Sequence, residues 1–155
     1  MFLRFLTITA ISFALINTAS AQERQWGLDA SDNQAFLTFG VPDSEDVGIS
    51  LWCEIGNGQM SVFLPETRVP LRVGEAVPMT VTVDGVQKQL RGLAAKDPAS
   101  GQMTVEAKFS LKDILISRLQ GGQTISVRVK GHDNNFPFAD ADFAGLVDDC
   151  KGEGN

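Results

Sequence analysis

The segment of residues 47–64 constrains the fold of this 155-residue chain more than any other stretch. Apolar and polar residues alternate on both sides of Gly56-Asn57-Gly58. Alternation sends successive side chains to opposite faces of a strand, and Asn and Gly tolerate the positive φ angles of a tight reversal. The segment therefore predicts a β-hairpin with Cys53 on its core-facing side.

The same alternation predicts five more strands, at residues 35–39, 79–83, 86–90, 103–109 and 125–129. Asp84-Gly85 predicts a second hairpin turn between two of them. Residues 22–33 are expected to be irregular, residues 65–74 to be an edge strand or loop, and residues 92–101 to be a surface connection.

Two short helices are expected in the second half of the chain. Ser110 followed by Asp113 resembles a capping box that opens a helix ending before Gly121-Gly122. A second helix is predicted over residues 140–150, where Phe143, Leu146, Val147 and Cys150 share one face. The predicted fold is mainly β, an antiparallel β-sandwich or open barrel of about seven strands with two short helices.

The N-terminal 21 residues have the pattern of a signal peptide. Arg4 precedes a short apolar run, and Ala19-Ser20-Ala21 is a small-x-small cleavage site. The run is shorter than the roughly 20 apolar residues of a spanning helix. We expect cleavage after Ala21, a single β-rich domain over residues 22–155, no membrane span after cleavage, and a periplasmic or secreted bacterial protein.

Two cysteines remain in this exported chain, Cys53 and Cys150. An even number of cysteines in an oxidising compartment favours a disulfide. Both positions are predicted to face the core, so the bridge would attach the C-terminal helix to the sheet. Two distant thiols and one histidine lack the spacing of a zinc site, and we expect no metal and no cofactor.

The net charge argues against some classes of partner. It is −6 for the whole chain and −7 without the leader, whose only charged residue is Arg4. Nucleic acids and anionic lipids are bound by clustered Lys and Arg, and the cations here are scattered. We expect no nucleic-acid partner.

Candidate catalytic groups are few. His132, the only histidine, lies in the turn-like stretch Gly131-His132-Asp133, and no serine or cysteine motif surrounds it. Acidic side chains cluster in residues 43–46 and at Asp140 and Asp142, which leaves a small hydrolase using acidic residues as an alternative. A calcium loop is not indicated, because the Asp-x-Asp-x-Asp-Gly spacing is missing.

Several residues are candidates for an interaction surface. Trp52 and Phe63 alternate out of phase with Cys53, so they face away from the core unless another element covers them. Phe136 and Phe138 either dock the last loop or form an exposed apolar knob. His132 completes this set as a residue of the same loop.

Ser100-Gly101 carries a resemblance to periplasmic lysozyme inhibitors of small β-barrel type. Those proteins present a Ser-Gly loop to the active-site cleft of the enzyme, and the size, export and single disulfide of this chain are similar. The residues that follow, Gln102-Met103, replace the aromatic residue found in that family. The resemblance implies lysozyme inhibition through Ser100 and Gly101 as an alternative function.

A second resemblance covers more of the chain. Trp52-Cys53, Leu64-Pro65, Asp84-Gly85, Leu119-x-x-Gly122 and Phe136-Pro137-Phe138 before a terminal Phe143-x-x-Leu146 helix resemble the invasion-associated locus B family of exported proteobacterial proteins. Family members usually have further cysteines that are missing here. The resemblance implies an exported β-rich domain with a host-interaction or envelope-related role, and supplies no catalytic residues.

From these observations we expect a non-enzymatic periplasmic or secreted protein that binds another protein or an envelope component. Export, a single disulfide and the lack of an assembled catalytic set motivate this hypothesis.

Overall fold

A computed structural model describes residues 23–65 and 67–152, and the predicted leader lies outside the described residues. Its strands are β1 (Gln25–Ala30), β2 (Gln34–Gly40), β3 (Val47–Glu54), β4 (Gln59–Leu64), β5 (Ala76–Val83), β6 (Val86–Lys96), β7 (Met103–Ser110), β8 (Thr124–Val129) and β9 (His132–Pro137). The helices are α1 (Ile114–Leu119) and α2 (Phe143–Lys151).

The strands form one antiparallel sheet in the order β1-β2-β3-β4-β7-β6-β5-β8-β9. The sheet curls into a half-barrel. Strands β1 to β4 are neighbours in chain order. Strands β5, β6 and β7 are also neighbours, and β7 pairs with β4. Helix α1 then carries the chain to β8 on the far side of β5. The mainly β prediction with two short helices is confirmed.

The described residues contain nine strands, two more than predicted. The additional strands, β1 and β9, are the two edges of the sheet. Residues 25–30 and 132–137, predicted to be irregular and turn-like, are therefore strands. Each edge strand pairs with only one neighbour and has few buried side chains. The sequence of β9 lacks the alternation that marks a half-buried strand, whereas in β1 the half-buried Trp26 and Leu28 do alternate with exposed residues, and the prediction missed this short signal.

Three element boundaries also differ from the predictions. Strand β6 continues to Lys96, well into the predicted surface connection. Helix α1 begins after Asp113, whose carboxylate accepts from the Leu115 N–H, so Asp113 is the N-cap in place of Ser110. Helix α2 begins at Phe143 because Asp142 is its N-cap.

The core fills the inside of the curl. Alternating side chains of β2 to β8 point inward, and the largest completely buried ones include Leu37, Leu51, Met60, Met79 and Ile125. Gly92 of β6 is buried among them, and a Cβ atom there would lie 2.8 Å from Val105 Cγ1 and 3.2 Å from the Val77 carbonyl oxygen. A glycine at this position lets three adjacent strands bend closely around the core.

Helix α2 packs on the inner side of β1, β2 and β3. Its buried residues are Phe143, Leu146, Val147 and Cys150, which is the predicted apolar face. The predicted disulfide between Cys53 and Cys150 is present, with the two Cα atoms 5.8 Å apart and a sequence separation of 97. The helix is thus bound covalently to β3 near the end that leads into the hairpin turn.

Aromatic side chains link the two edges of the sheet across the opening of the curl. The Trp26 indole of β1 lies 5.0 Å from the Phe138 ring, centroid to centroid, and its Nε1–H donates to the Pro137 carbonyl oxygen of β9. Phe39 contacts both Trp26 and Phe136. Phe136 and Phe138 are buried by these contacts, so they dock the last loop and do not form an exposed interaction knob.

Candidate functional site

The outer face of β2, β3, β4 and β7 carries two rows of side chains that point away from the core. Register places Phe36 beside Trp52, Trp52 beside Ser61, and Ser61 beside Lys108. The adjacent row runs through Thr38, Ser50, Phe63 and Glu106. Both helices pack their buried residues into the core on the opposite side, so within the described residues this face has no covering helix.

Trp52 lies between two neighbours on this face. The Phe36 ring stacks against its indole at a centroid distance of 5.8 Å and an interplanar angle of 18°. The Lys108 Nζ lies 5.7 Å from the indole centroid, a distance at which the ammonium group attracts the π system. Phe36 approaches from the β2 side and Lys108 from the β7 side, because short Ser61 separates Lys108 from Trp52. Trp52 is consequently half-buried.

Small hydroxyl side chains form the floor between the aromatic rings. Ser50 lies between Thr38 and Phe63 in the second row, and the Thr38 and Ser50 hydroxyls are hydrogen-bonded at 3.1 Å. The Ser61 hydroxyl donates to Glu106 Oε1 at 2.6 Å. The space above this floor is a groove of about 520 Å³, bounded by the rings of Phe36, Trp52 and Phe63. We call it the aromatic groove.

Three carboxyl side chains line the aromatic groove: Glu45, Asp97 and Glu106. Glu106 comes from the sheet itself, whereas Glu45 belongs to the β2–β3 loop and Asp97 to the β6–β7 loop. Antiparallel pairing brings these two loops to the same end of the face. The groove is therefore apolar in its interior and acidic at one end.

The loop after β6 connects the Ser100-Gly101 candidate to the groove. Asp97 accepts hydrogen bonds from the backbone N–H groups of Ser100 and Ala99, at 2.7 and 2.8 Å. These hydrogen bonds lower the pKa of Asp97 below its ordinary value, and the bond from the Ser100 N–H has the largest effect. Ser100 and Gly101 are both exposed at the loop tip, so the carboxylate that lines the groove also orders the tip.

The other candidate residues lie elsewhere. His132 is half-buried at the start of β9, where it pairs with Val129. The sheet order separates β9 from the groove strands by β6, β5 and β8. The structure thus brings together Trp52, Phe63 and the Ser100-Gly101 loop, and it leaves His132, Phe136 and Phe138 at the far edge.

Sequence reasoning did not select Phe36 or the carboxylates as part of this site. Phe36 alternates out of phase with buried Ala35 and Leu37, as Trp52 does with Cys53, and this signal was available. The position of Glu106 beside Phe63 was not available, because β4 and β7 are distant in sequence.

One residue of each acidic cluster has a local structural partner. Asp142 caps α2 by accepting from the Gly145 N–H, and Asp46 pairs with Arg24. Among residues 23–65 and 67–152, no group of three or more His, Cys, Asp or Glu side chains is placed to hold a metal ion.

No helix in the described part of the chain is both long enough and apolar enough to cross a bilayer. The intramolecular disulfide is compatible with an extracytoplasmic location.

Comparison with family models, with curated proteins and with solved structures finds no match to this chain.

Proposed function

We propose that this protein is exported to the periplasm or secreted, and that it binds another protein or an envelope component through the aromatic groove without catalysing a reaction. The leader pattern and the disulfide support export. The observation that carries the binding proposal is the set of three aromatic rings, Phe36, Trp52 and Phe63, on a sheet face without a covering helix among the described residues. Grouped apolar side chains on an uncovered face are typical of interaction sites.

Site-specific photo-cross-linking in cells tests this proposal. A benzophenone amino acid replaces Phe63 in the groove, and a second protein carries it at Val86, which is 46% exposed at the opposite hairpin. We expect a discrete adduct from position 63 alone, and excess unlabelled wild-type protein should compete with it. Equal or no adducts from the two positions would contradict a specific groove partner.

Paired variants show whether the aromatic rings supply the binding. Trp52→Ser with Phe63→Ser removes two rings from the outer face without entering the core. Val86→Ser with Ile114→Ser removes two exposed apolar side chains elsewhere, Ile114 being 63% exposed. Added in excess as unlabelled competitor, the first double variant should fail to reduce the adduct from position 63, and the second should reduce it as the wild type does. Both variants should unfold at the wild-type urea midpoint. Full competition by the groove variant would refute the proposal.

Lysozyme inhibition is a second candidate function. Its support is the exposed Ser100-Gly101 tip, which Asp97 holds in one conformation next to the groove. The intact protein should then inhibit a lysozyme in a cell-wall lysis assay, and Ser100→Arg should abolish inhibition by adding bulk at the tip. Ala99→Arg is the matched control, because Ala99 is exposed in the same loop. A lack of inhibition by the intact protein would exclude this function.

A further inference from the structure

We infer that the ligand of the aromatic groove is a cationic polypeptide segment that presents a Lys or Arg side chain next to an apolar side chain. The inference rests on the proposed function and identifies the chemical class of its partner. Three features of the groove support it: its charge, the orientation of its rings and its shape.

The charge of the groove is of one sign. Glu45, Asp97 and Glu106 line it, and none of the lining residues within the described chain is Lys, Arg or His. Lys108 lies over the Trp52 ring but is not among the lining residues. Carboxylates around an apolar surface, with no cation among the lining residues, attract a ligand with positive charge and repel one with negative charge.

The polar contacts of the carboxylates keep them in place without neutralising them. Glu106 accepts from the neutral Ser61 hydroxyl, and Asp97 accepts from two backbone N–H groups. Because these donors carry no net charge, and because Asp97 and Glu106 form no ion pair with another described residue, a cationic side chain entering the groove has no existing salt bridge to displace.

The rings are placed for side-chain packing. A sugar ring stacks on an open aromatic face, but the two sides of the Trp52 indole are flanked by Phe36 and Lys108. The groove over Ser50 and Thr38 instead presents space between rings, which suits an aliphatic side chain or the methylene stem of Lys or Arg. The charged end of such a stem would reach the acidic end of the groove.

Model peptides test the inference on the purified, oxidised protein. The probe is an end-blocked, fluorescently labelled decapeptide in which Lys and Leu alternate, and its counterpart alternates Glu and Leu. Binding is followed by fluorescence anisotropy at low and high salt. We expect saturable binding of the Lys peptide that weakens as salt rises, and no binding of the Glu peptide.

Two charge-matched triple variants locate the binding. Glu45→Gln, Asp97→Asn and Glu106→Gln remove the groove charges but retain oxygen acceptors for Ser61, Ser100 and Ala99. Asp29→Asn, Asp32→Asn and Asp140→Asn change the net charge equally at exposed positions outside the groove. The groove triple should weaken binding of the Lys peptide at least about tenfold, against less than about twofold for the remote triple.

Other outcomes overturn the inference in identifiable ways. Equal losses in both triples would mean that net charge alone attracts the peptide. Binding of chitohexaose, with none of the Lys peptide, would make the ligand a glycan. If the unlabelled groove triple competes for the cellular adduct from position 63 as well as the wild type does, while the Trp52→Ser, Phe63→Ser variant does not compete, the charge inference is wrong and the proposed function stands. If the Trp52→Ser, Phe63→Ser variant also competes fully, both fail.

Discussion

At the residue scale, Asp84 shows how one side chain stabilises a distant connection. It begins the two-residue turn between β5 and β6 with φ 47°, followed by Gly85 at 85°, as a twisted hairpin turn requires. Its carboxylate accepts from the backbone N–H groups of Gln123 and Thr124. The side chain therefore joins the β5–β6 turn to the segment that leads into β8.

These hydrogen bonds predict a pH-dependent effect of Asp84→Asn. Donation from Gln123, and then from Thr124, lowers the pKa of Asp84 below its ordinary value of 3.8. A carboxyl group whose pKa is depressed on folding stabilises the protein above its unfolded pKa, and the contribution is lost as the pH falls through the folded pKa. The difference in free energy of unfolding between wild type and variant should be largest near neutral pH.

Urea titrations from pH 7 down to the acid limit of the folded state measure this difference. Asp140→Asn, at an exposed position, is the control. A difference for Asp84→Asn that does not shrink on acidification would show that the carboxylate charge is not responsible.

Gly92 predicts a steric effect at the same scale. Gly92→Ala places a Cβ atom 2.8 Å from Val105 Cγ1, and overpacking of this kind costs about 1–3 kcal/mol. Gly27→Ala is the control, because a Cβ atom there meets nothing within 4 Å. Urea unfolding should show a loss of stability for the first variant and no loss for the second. Equal stabilities would contradict the close approach of β5, β6 and β7.

At the element scale, α2 depends on its attachment to the sheet. It has nine residues, fewer than the roughly 12–15 at which an isolated helix is marginal in water. Its stability therefore comes from burial of one face and from the bridge to Cys53. The Gly56 N–H also donates to the Cys150 carbonyl oxygen at 2.9 Å, so the end of the helix contacts the turn of the first hairpin.

Removal of the disulfide should destabilise the whole fold. The bridge joins two cysteines at a sequence separation of 97, and for a loop of this size the chain-entropy model gives about 4–5 kcal/mol. The double variant Cys53→Ala with Cys150→Ala should lose up to this amount in urea unfolding. Amide exchange of residues 143–151 should rise more than that of β4 and β7. An unchanged free energy of unfolding would show that packing alone holds the helix.

At the scale of the whole molecule, the curl of the sheet brings its first and last strands into contact through side chains. Trp26 contributes a hydrogen bond to Pro137 and ring contacts with Phe39 and Phe138. The nine strands form a curled half-barrel. Aromatic packing and one hydrogen bond thus connect strands that the sheet order places farthest apart.

Two substitutions of Trp26 should separate the hydrogen bond from the ring contacts. Trp26→Phe loses the Nε1–H donor, worth about 1 kcal/mol, and Trp26→Ala also loses the packing of a half-buried ring, about 2 kcal/mol more. Hydrogen exchange should quicken in β1 and β9 together and remain slow in β4 and β7. Faster exchange in β1 alone would show that the two edges are not coupled.

Much of the architecture follows from local patterns. Alternation along residues 47–64 and the Gly-Asn-Gly turn predict the first hairpin, and the spacing of Phe143, Leu146, Val147 and Cys150 predicts the buried face of α2. These patterns are visible in the sequence because core-facing side chains are apolar and recur at the period of the strand or helix that carries them. The disulfide follows, because Cys53 and Cys150 both occupy core-facing positions.

The rest of the fold depends on pairing between strands that are distant in sequence. The edge strand β9 has one buried residue and no apolar alternation, so only its pairing with β8 identifies it as a strand. The aromatic groove depends on β4 lying next to β7, which brings Ser61 to Glu106 across 45 residues, and on helices that pack on the opposite face. The alternation of apolar and polar residues within one strand reveals neither condition. Strand order and the coverage of a sheet face depend on the free energy of the whole folded chain.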